Sequence, residues 1–587
     1  MATTPAPSRK SAVDVFRDRV ARSGARTALR HKVGTEWQPM SWAEWGVAAR
    51  EIAGGLATLG VAAASRVAIL ASTRLEWALC DVGVLSAGAV VVPIYPSSLP
   101  DQVEHILRDS GSSVVVAEDE QQLAKLTQIK AAIPQVARVV LMRGEAAGDW
   151  VITLAALREA GRAWIAANPA RLDEVARAID PAETATIIYT SGTTGPPKGV
   201  VLTHANLVFE MSAVEDLLGL GEDDEQLLFL PLAHSFARVV EWACIAIGAS
   251  TAFAEGLPQL VPNMAEVRPT FVAAVPRVFE KAYAKMQATF AEKRKKAITR
   301  RIVDWSLAQG RDRSARQRRG EPAEGWRYRL ADRLVFEKVR ATFGGRLRYF
   351  VSGGAPLSAE IAEFFHAAGI LVLEGYGLTE TTAAATCNRP DSYRFGTVGP
   401  ALPGVEIEIA ADGEILIRGG NIMTGYWNNP AATAEVLDPD GWFHSGDIGV
   451  IEQGGHVRIT DRKKDIIVTA GGKNVAPQNI ENDLKAACPL VSQAVVVGDK
   501  QKYLVALLTL TDDAARDRAG SEKSVADAVA RLNQKLASYE TIKRYKILER
   551  DFTEESGELT PSLKVKRKVV SERHRGEIEK LYAGKDG

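Results

Sequence analysis

At 587 residues the chain is longer than one hydrophobic core supports, so several domains or subdomains are expected. Its 46% hydrophobic and 25% charged content is that of a globular protein, which excludes disorder as the main theme. Lys+Arg and Asp+Glu number 72 each, so no global field recruits nucleic acid or membrane, and any electrostatic preference has to be local.

Cys80, Cys244, Cys387 and Cys488 lie far apart with no C-x-x-C pair, which argues against a disulfide framework or a zinc site and for a reducing, cytoplasmic setting. The first twenty residues offer no apolar core for a secretory signal. Residues 82–100 carry no charge, but Pro93, Pro96 and Pro100 make them a poor membrane helix.

Along the chain, helical patterns alternate with short apolar strands through the first 275 residues. Residues 51–59 precede the strand pattern 66–70, and 102–109 precede 113–117. This alternation predicts βα units and largely parallel sheets. Residues 186–190 form another β-branched strand, which stops at Ser191-Gly192-Thr193-Thr194-Gly195, with Lys198 just beyond. Such a loop turns backbone N–H groups and hydroxyls toward one point and adds a mobile cation, as phosphate binding requires. The Walker A spacing is not met, because Gly199 follows the lysine. A solvent-exposed Gly/Ser/Thr turn is the alternative for the loop taken alone.

Residues 281–340 hold 18 Lys/Arg against 7 Asp/Glu. This is either a solvated helical face or a surface for acidic lipid or an anionic substrate. Beyond it, 349–358 (YFVSGGAPLS) reads as a strand running into a Gly-Gly turn, and 373–383 (LEGYGLTETTA) as a second strand-to-loop unit carrying an aromatic, a hydroxyl and a carboxylate. After Gly396 the texture becomes β-rich, with a hairpin at Asp412-Gly413. Residues 441–449 (GWFHSGDIG) place Asp447 on a glycine-flanked turn. The basic stretch 461–465 marks a domain boundary. About 120 residues follow it, enough for a small α+β domain, with a basic segment at 564–575.

In this order and at these distances, these stretches resemble the adenylate-forming, AMP-binding superfamily of acyl-CoA synthetases, firefly luciferase and peptide-synthetase adenylation domains. Residues 230–242 (LPLAHSFARVVEW), the basic insertion and LTPSLKVKR look most like bacterial long-chain fatty acyl-CoA synthetases. The resemblance implies an α/β fold whose large N-terminal domain, 1–461, has two parallel-sheet α/β subdomains and a small β-barrel-like one. A hinge at 462–464 and a small mobile α+β domain, 465–587, complete it.

The implied reaction is attack of a fatty acid carboxylate on the α-phosphorus of ATP, giving acyl-AMP and pyrophosphate, followed by displacement of AMP by the thiol of CoA. Positioning and charge stabilisation are then the protein's task. By the same resemblance Thr190, Ser191, Gly192, Thr193, Thr194, Gly195 and Lys198 hold the outer phosphates. Gly354, Ala355, Gly375, Tyr376 and Gly377 accommodate the adenine, with the tyrosine ring stacked on it. Thr379 bonds the α-phosphate and Glu380 binds Mg2+, a hard cation suited to an oxygen ligand; a capping role for Glu380 is the alternative. Asp447 accepts the ribose hydroxyls and Arg462 supports ribose and phosphate, unless it forms a structural ion pair.

Lys564 is the catalytic lysine carried into the site by the small domain, although Leu563 stands where most relatives have glycine. Lys464 is the hinge residue. His234 lines the acyl channel or is a satisfied core histidine. Arg238 stands on that channel where a bacterial long-chain relative has a gating tryptophan, so gating by a ring does not carry over. The partners implied are ATP, fatty acid and CoA. A fatty acyl-AMP ligase serving a carrier protein, or a silent lipid-binding homologue, are the rival readings. Residues 281–340 add a candidate contact with the inner face of an anionic membrane.

Overall fold

The computed structural model describes residues 10–146, 148–190, 196–294, 297–560 and 564–583. Two eight-stranded sheets organise most of the chain, as the alternation predicts. One runs Thr386–Cys387, Leu371–Tyr376, Tyr349–Ser352, Phe271–Ala274, Glu225–Leu228, Ser250–Phe253, Thr27–Val33, Glu36–Ser41. The other runs Gly425–Tyr426, Lys198–Thr203, Thr184–Thr190, Val90–Ile94, Arg66–Leu70, Val114–Ala117, Arg138–Leu141, Val151–Thr153.

Their central strands are parallel and buried on both faces, which is why RVAIL, VVVPI and VVVA read as continuous apolar runs. One continuous core joins the sheets. Val67, Ile69 and Val91 of the second belong to the same cluster as Leu228, Phe253 and Ala273 of the first, with Trp42, Trp45, Trp77 and Trp242 from the intervening helices.

The third element is an antiparallel sheet of four strands, Val405–Ile409, Glu414–Gly419, Phe443–Ile451 and Val457–Arg462. Its first hairpin turns at Asp412-Gly413 as expected, with Gly413 at φ 87° and the Asp412 carboxylate accepting from the Glu414 N–H. Among the described residues its outer strands do not pair, so this sheet is open rather than closed into a barrel. Gly425–Tyr426, from the same part of the chain, joins the edge of the second large sheet beside Val200 and Val201. Asn206 strengthens that junction: it completes the capping box of helix His204–Leu218 and donates to the carbonyls of Gly420 and Ile422.

The basic stretch forms helices Pro276–Arg294 and Ala297–Arg318, then Trp326–Ala331, which continues through a π-helical turn into Glu337–Ala341. Phe279, Tyr283, Phe290, Val303, Leu307 and Phe336 bury one face against the first sheet, in a core shared with its Leu227, Val272, Phe350 and Val372. The outer face is not purely charged, because Ile298, Trp326, Leu330 and Leu334 are exposed, Trp326 to 71%.

Residues 465–583 have their own apolar core, centred on the three-stranded sheet Val491–Val497, Leu504–Leu510, Ile542–Ile547 and helices Pro477–Ala487 and Arg518–Asn533. No helix among the described residues is long and apolar enough to cross a membrane.

Candidate active site

The site lies where the first sheet, the edge of the second, the third sheet and the small domain meet. Strands Thr184–Thr190 and Lys198–Thr203 pair in antiparallel register, Thr190 opposite Lys198. The hairpin therefore holds Thr190 and Lys198 side by side. Ser191, Gly192, Thr193, Thr194 and Gly195 lie outside the described residues. The Lys198 ammonium stands 5.0 Å from the centre of the Tyr426 ring, and the Tyr426 hydroxyl donates to Glu380 Oε1 at 2.8 Å.

Strands Tyr349–Ser352 and Leu371–Tyr376 run side by side, Ser352 opposite Glu374. They deliver Gly354-Ala355 and Gly375-Tyr376-Gly377 to the same end of the sheet. Gly354 has φ 84°, a conformation that costs a side-chain-bearing residue, and a Cβ on Gly377 would stand 2.4 Å from the Ala383 carbonyl. The loop after Gly377 thus folds back on itself. It holds Thr379 and Glu380 in a 3₁₀ turn and then places Thr382 and Ala383 in left-handed conformations, φ 51° and 90°. The buried hydroxyl of Thr382 anchors it by donating to the Asn421 carbonyl at 2.6 Å. Two non-glycine residues in that region make a strained loop held by its surroundings, as is common where a site must be preorganised.

Behind the cradle, burial pushes the Glu374 carboxyl up to about 8, and it accepts from the Leu357 N–H at 3.2 Å. Glu380 caps no helix: its partner is Tyr426. Thr379 Oγ1 is 3.5 Å from Ser235 Oγ, at the start of helix Ser235–Ile247. His234 caps that helix, its Nδ1 accepting from the Phe236 N–H at 3.1 Å. Burial, helped by the Lys564 charge, pulls the imidazole down to about 3, so it is neutral at physiological pH.

Asp447 lies within strand Phe443–Ile451, opposite Arg462, and not on a turn. Gly446 at φ 70° and a register shift at Ile448/Gly449 bend the strand locally, and those glycines were the source of the turn expectation. The Asp447 carboxylate accepts from the Tyr376 hydroxyl at 2.7 Å and lies 3.4 Å from the Arg462 Nε. Burial raises its proton affinity, opposed by Arg462, Tyr376 and Lys564.

Lys564, from the small domain, shares this enclosure. Burial, with Arg462, lowers its ammonium to about 8 against the pull of Asp447 and Glu380. Lys564 is pinned by the Thr560 N–H, which donates to its carbonyl, by its own N–H, which donates to the Thr560 hydroxyl, and by the Lys566 N–H, which donates to the Glu558 carbonyl.

Arg238 is 1% exposed and pairs with Asp81, Nη2 to Oδ1 at 2.5 Å, while Trp242 Nε1 donates to the other oxygen at 2.9 Å. Its charge is committed to the protein core. Lys464 is exposed in the turn between Arg462 and the small domain, where the N–H groups of Asp465 and Ile466 donate to the Arg462 carbonyl. Tyr426 and Ser235 are site residues that sequence reasoning missed. Neither carries a local signal, since each reaches the site only through long-range packing.

The chain matches the AMP-binding enzyme family over residues 16–427 and the AMP-binding enzyme C-terminal domain over 464–586. It belongs to the AMP-binding enzyme family. A long-chain-fatty-acid–CoA ligase, FadD15, of Mycobacterium bovis is 41% identical over 93% of this chain and 92% of its own length. The long-chain-fatty-acid–CoA ligase ACSBG2 of Xenopus laevis is 31% identical over 97% of this chain and 83% of its own. Among solved structures, the adenylation domain of a Mycobacterium chelonae carboxylate reductase covers 99% of this AMP-binding chain and is itself covered to 92%, with a TM-score of 0.78 at 24% identity. A Mycobacterium tuberculosis fatty acyl CoA synthetase covers 97% and is covered completely, with a TM-score of 0.64 at 24% identity.

Proposed function

We propose that this AMP-binding enzyme activates long-chain fatty acids with ATP to acyl-AMP and then transfers the acyl group to CoA. The observation that carries the reading is the meeting of Lys564 with Asp447, Arg462 and Glu380 in one enclosure built by both domains. The names of the relatives that match over most of their length support the acid and the thiol.

In this reading Thr190, Lys198 and the intervening loop hold the β- and γ-phosphates, the Gly354 and Gly375–Gly377 turns admit the adenine, Tyr376 stacks on it, and Asp447 accepts from the ribose. Lys564 stands between carboxylate and α-phosphate and relieves the repulsion as they approach. His234, neutral, adds no further positive charge beside that ammonium and borders the acyl entrance. Among the described residues no group of three His, Cys, Asp or Glu side chains could cage a metal. The lone Glu380 carboxylate, already oriented by Tyr426, fits Mg2+ that arrives on the triphosphate, since this cation usually takes one or two carboxylates plus phosphate oxygens. Bound there, it would neutralise charge on the phosphates.

Residues 281–340 are the candidate membrane contact. Trp326, Leu330 and Leu334 recur every fourth residue on the outer face, and Arg327, Arg329 and Arg333 between them have no carboxylate partner among the described residues. An apolar stripe flanked by arginines suits the surface of an anionic bilayer, where long-chain acids reside.

Pyrophosphate release across carboxylic acids of increasing chain length, with and without CoA, tests the activity. The expected result is release that is strongest with long-chain acids, with acyl-CoA formed in stoichiometric amount. Release without acyl-CoA would support the acyl-AMP ligase instead, and no release with any acid would remove the enzymatic reading.

A further inference from the structure

The large and small domains touch through a second set of contacts, remote from the nucleotide residues. Helix Pro276–Arg294 begins directly after the central strand Phe271–Ala274 of the first sheet. Its first turns present Arg277 and Glu280, one helical turn apart and 3.6 Å from each other. Arg277 Nη1 donates to the Ser492 carbonyl at 2.5 Å and Nη2 to the Ser492 hydroxyl at 2.5 Å, with Asp551 Oδ2 at 3.8 Å. The acceptor is prebuilt by the small domain, because Asp551 also takes hydrogen bonds from the hydroxyls of Ser492 and Thr509. One helix away, Lys485 Nζ donates to Glu280 Oε1 at 2.9 Å, both side chains largely shielded from solvent.

These are partly buried, charge-assisted contacts with fixed forks, the kind that counts energetically, and not rim pairs of the exposed type. Small-domain rotation about the turn at Lys464 has to break them, since every partner on one side belongs to the large domain and every partner on the other to the small one.

We propose that Arg277 and Glu280 are positioning residues for adenylation. They latch the small domain in the placement that puts Lys564 beside Asp447 and Glu380, and they release it for the thioester step. The proposal rests on the two-step reading above. Neither residue touches the nucleotide site, so each acts only through the placement of Lys564. A latch of this kind shifts a population, so its loss penalises the step that needs the latched placement and spares or favours the other.

The test uses the full chain with Arg277→Ala, Lys485→Ala and the conservative Arg277→Lys. The two alanine variants are expected to lose roughly tenfold or more in pyrophosphate release from fatty acid and ATP. They should convert supplied acyl-AMP and CoA at the parent rate or faster. Arg277→Lys should recover part of the first step, since an ammonium retains the charge but not the fork. Equal losses in both half-reactions, or no loss in either, would overturn the latch.

A readout independent of chemistry separates this from the functional reading. All four native cysteines are buried, so dyes can be placed on Ala308→Cys in the large domain and Tyr539→Cys in the small one. Energy transfer should show one dominant separation in the parent and a broadened distribution in Arg277→Ala. An unchanged distribution would overturn the latch even if the parent proved inactive on every acid tried.

Discussion

The Tyr426 hydroxyl donates to Glu380 Oε1 at 2.8 Å while the same ring lies beneath the Lys198 ammonium. One side chain thus orients the proposed metal ligand and steadies the phosphate-loop lysine. Tyr426→Phe removes only the hydrogen bond and Tyr426→Leu removes the ring face as well. A bond to an ionised carboxylate contributes about 1.5–3 kcal/mol, so the phenylalanine variant should need roughly tenfold or more additional Mg2+ for half-maximal pyrophosphate release. The leucine variant should lose more through weaker ATP binding, measurable by calorimetry. Both should handle supplied acyl-AMP and CoA normally, because that step uses neither triphosphate nor its metal.

Lys564 gives a pH signature. Burial holds its ammonium at about 8 in the nucleotide-free site, so the protonated form needed to meet carboxylate and phosphate is full below that value and lost above it. Since kcat/KM for ATP reports the free enzyme, it should fall as pH rises through about 8. The limb should persist to higher pH in kcat, where the bound triphosphate stabilises the charge. Lys564→Ala should cost roughly 3 kcal/mol or more, a hundredfold, in adenylation, with thioester formation from acyl-AMP intact. Lys566→Ala and Lys568→Ala serve as controls for a merely basic segment.

The two parallel sheets were legible because βα units write the same apolar run repeatedly, and the Asp412-Gly413 hairpin because its turn chemistry is local. Asp447 was found as a residue but assigned to a turn, since flanking glycines read alike whether they close a loop or bend a strand. What the sequence could not reveal is pairing between distant segments. Tyr426 meets Glu380, Asp81 meets Arg238 and Arg277 meets Ser492 across 46 to 215 positions. A periodic pattern carries no trace of such partners. The apolar stripe at Trp326, Leu330 and Leu334 was hidden for the opposite reason: its spacing reads as a core face, and only the fold reveals that this face points outward.

The Asp81–Arg238 pair makes a stability prediction. Both side chains are 1% exposed, so removing one leaves an uncompensated charge in the core. Asp81→Ala should destabilise by roughly 3–5 kcal/mol, read as an earlier midpoint in urea unfolding. Asp81→Ala with Arg238→Leu should recover much of this, since neither charge then remains buried alone. A double variant no better than Asp81→Ala would mean that the loss comes from packing against Trp77 and Trp242 instead.

For the outer face of the basic helices, Trp326→Ser with Leu330→Ser and Leu334→Ser should reduce co-sedimentation with phosphatidylglycerol vesicles severalfold. Arg327→Glu, Arg329→Glu and Arg333→Glu together should abolish the preference for anionic over zwitterionic vesicles. Each basic residue near such a surface contributes about 1 kcal/mol at low salt, so raising salt should weaken parent binding steeply. Activity on fatty acid dispersed in detergent should be unchanged in both sets. Unchanged sedimentation in both would leave a solvated face.

The turn at Lys464 is where the two placements of the small domain have to be reached, because Arg462 belongs to the third sheet and Ile467 to the small domain. In the placement with Lys564 in the site, the Asp465 and Ile466 N–H groups are bonded to Arg462, and the Lys463 N–H to Gly446. The Lys464 N–H donates to no group among the described residues. Proline at 464 therefore removes no bond from this placement, while it fixes φ and restricts the residue before it. Lys464→Pro should keep pyrophosphate release within a few-fold of the parent and slow conversion of supplied acyl-AMP and CoA by roughly a hundredfold or more, a barrier increase of about 3 kcal/mol. The opposite pattern, with adenylation lost and thioester formation kept, would mean that proline traps the other placement and that the turn seen here is strained by it. Parent rates in both steps would move the hinge away from Lys464.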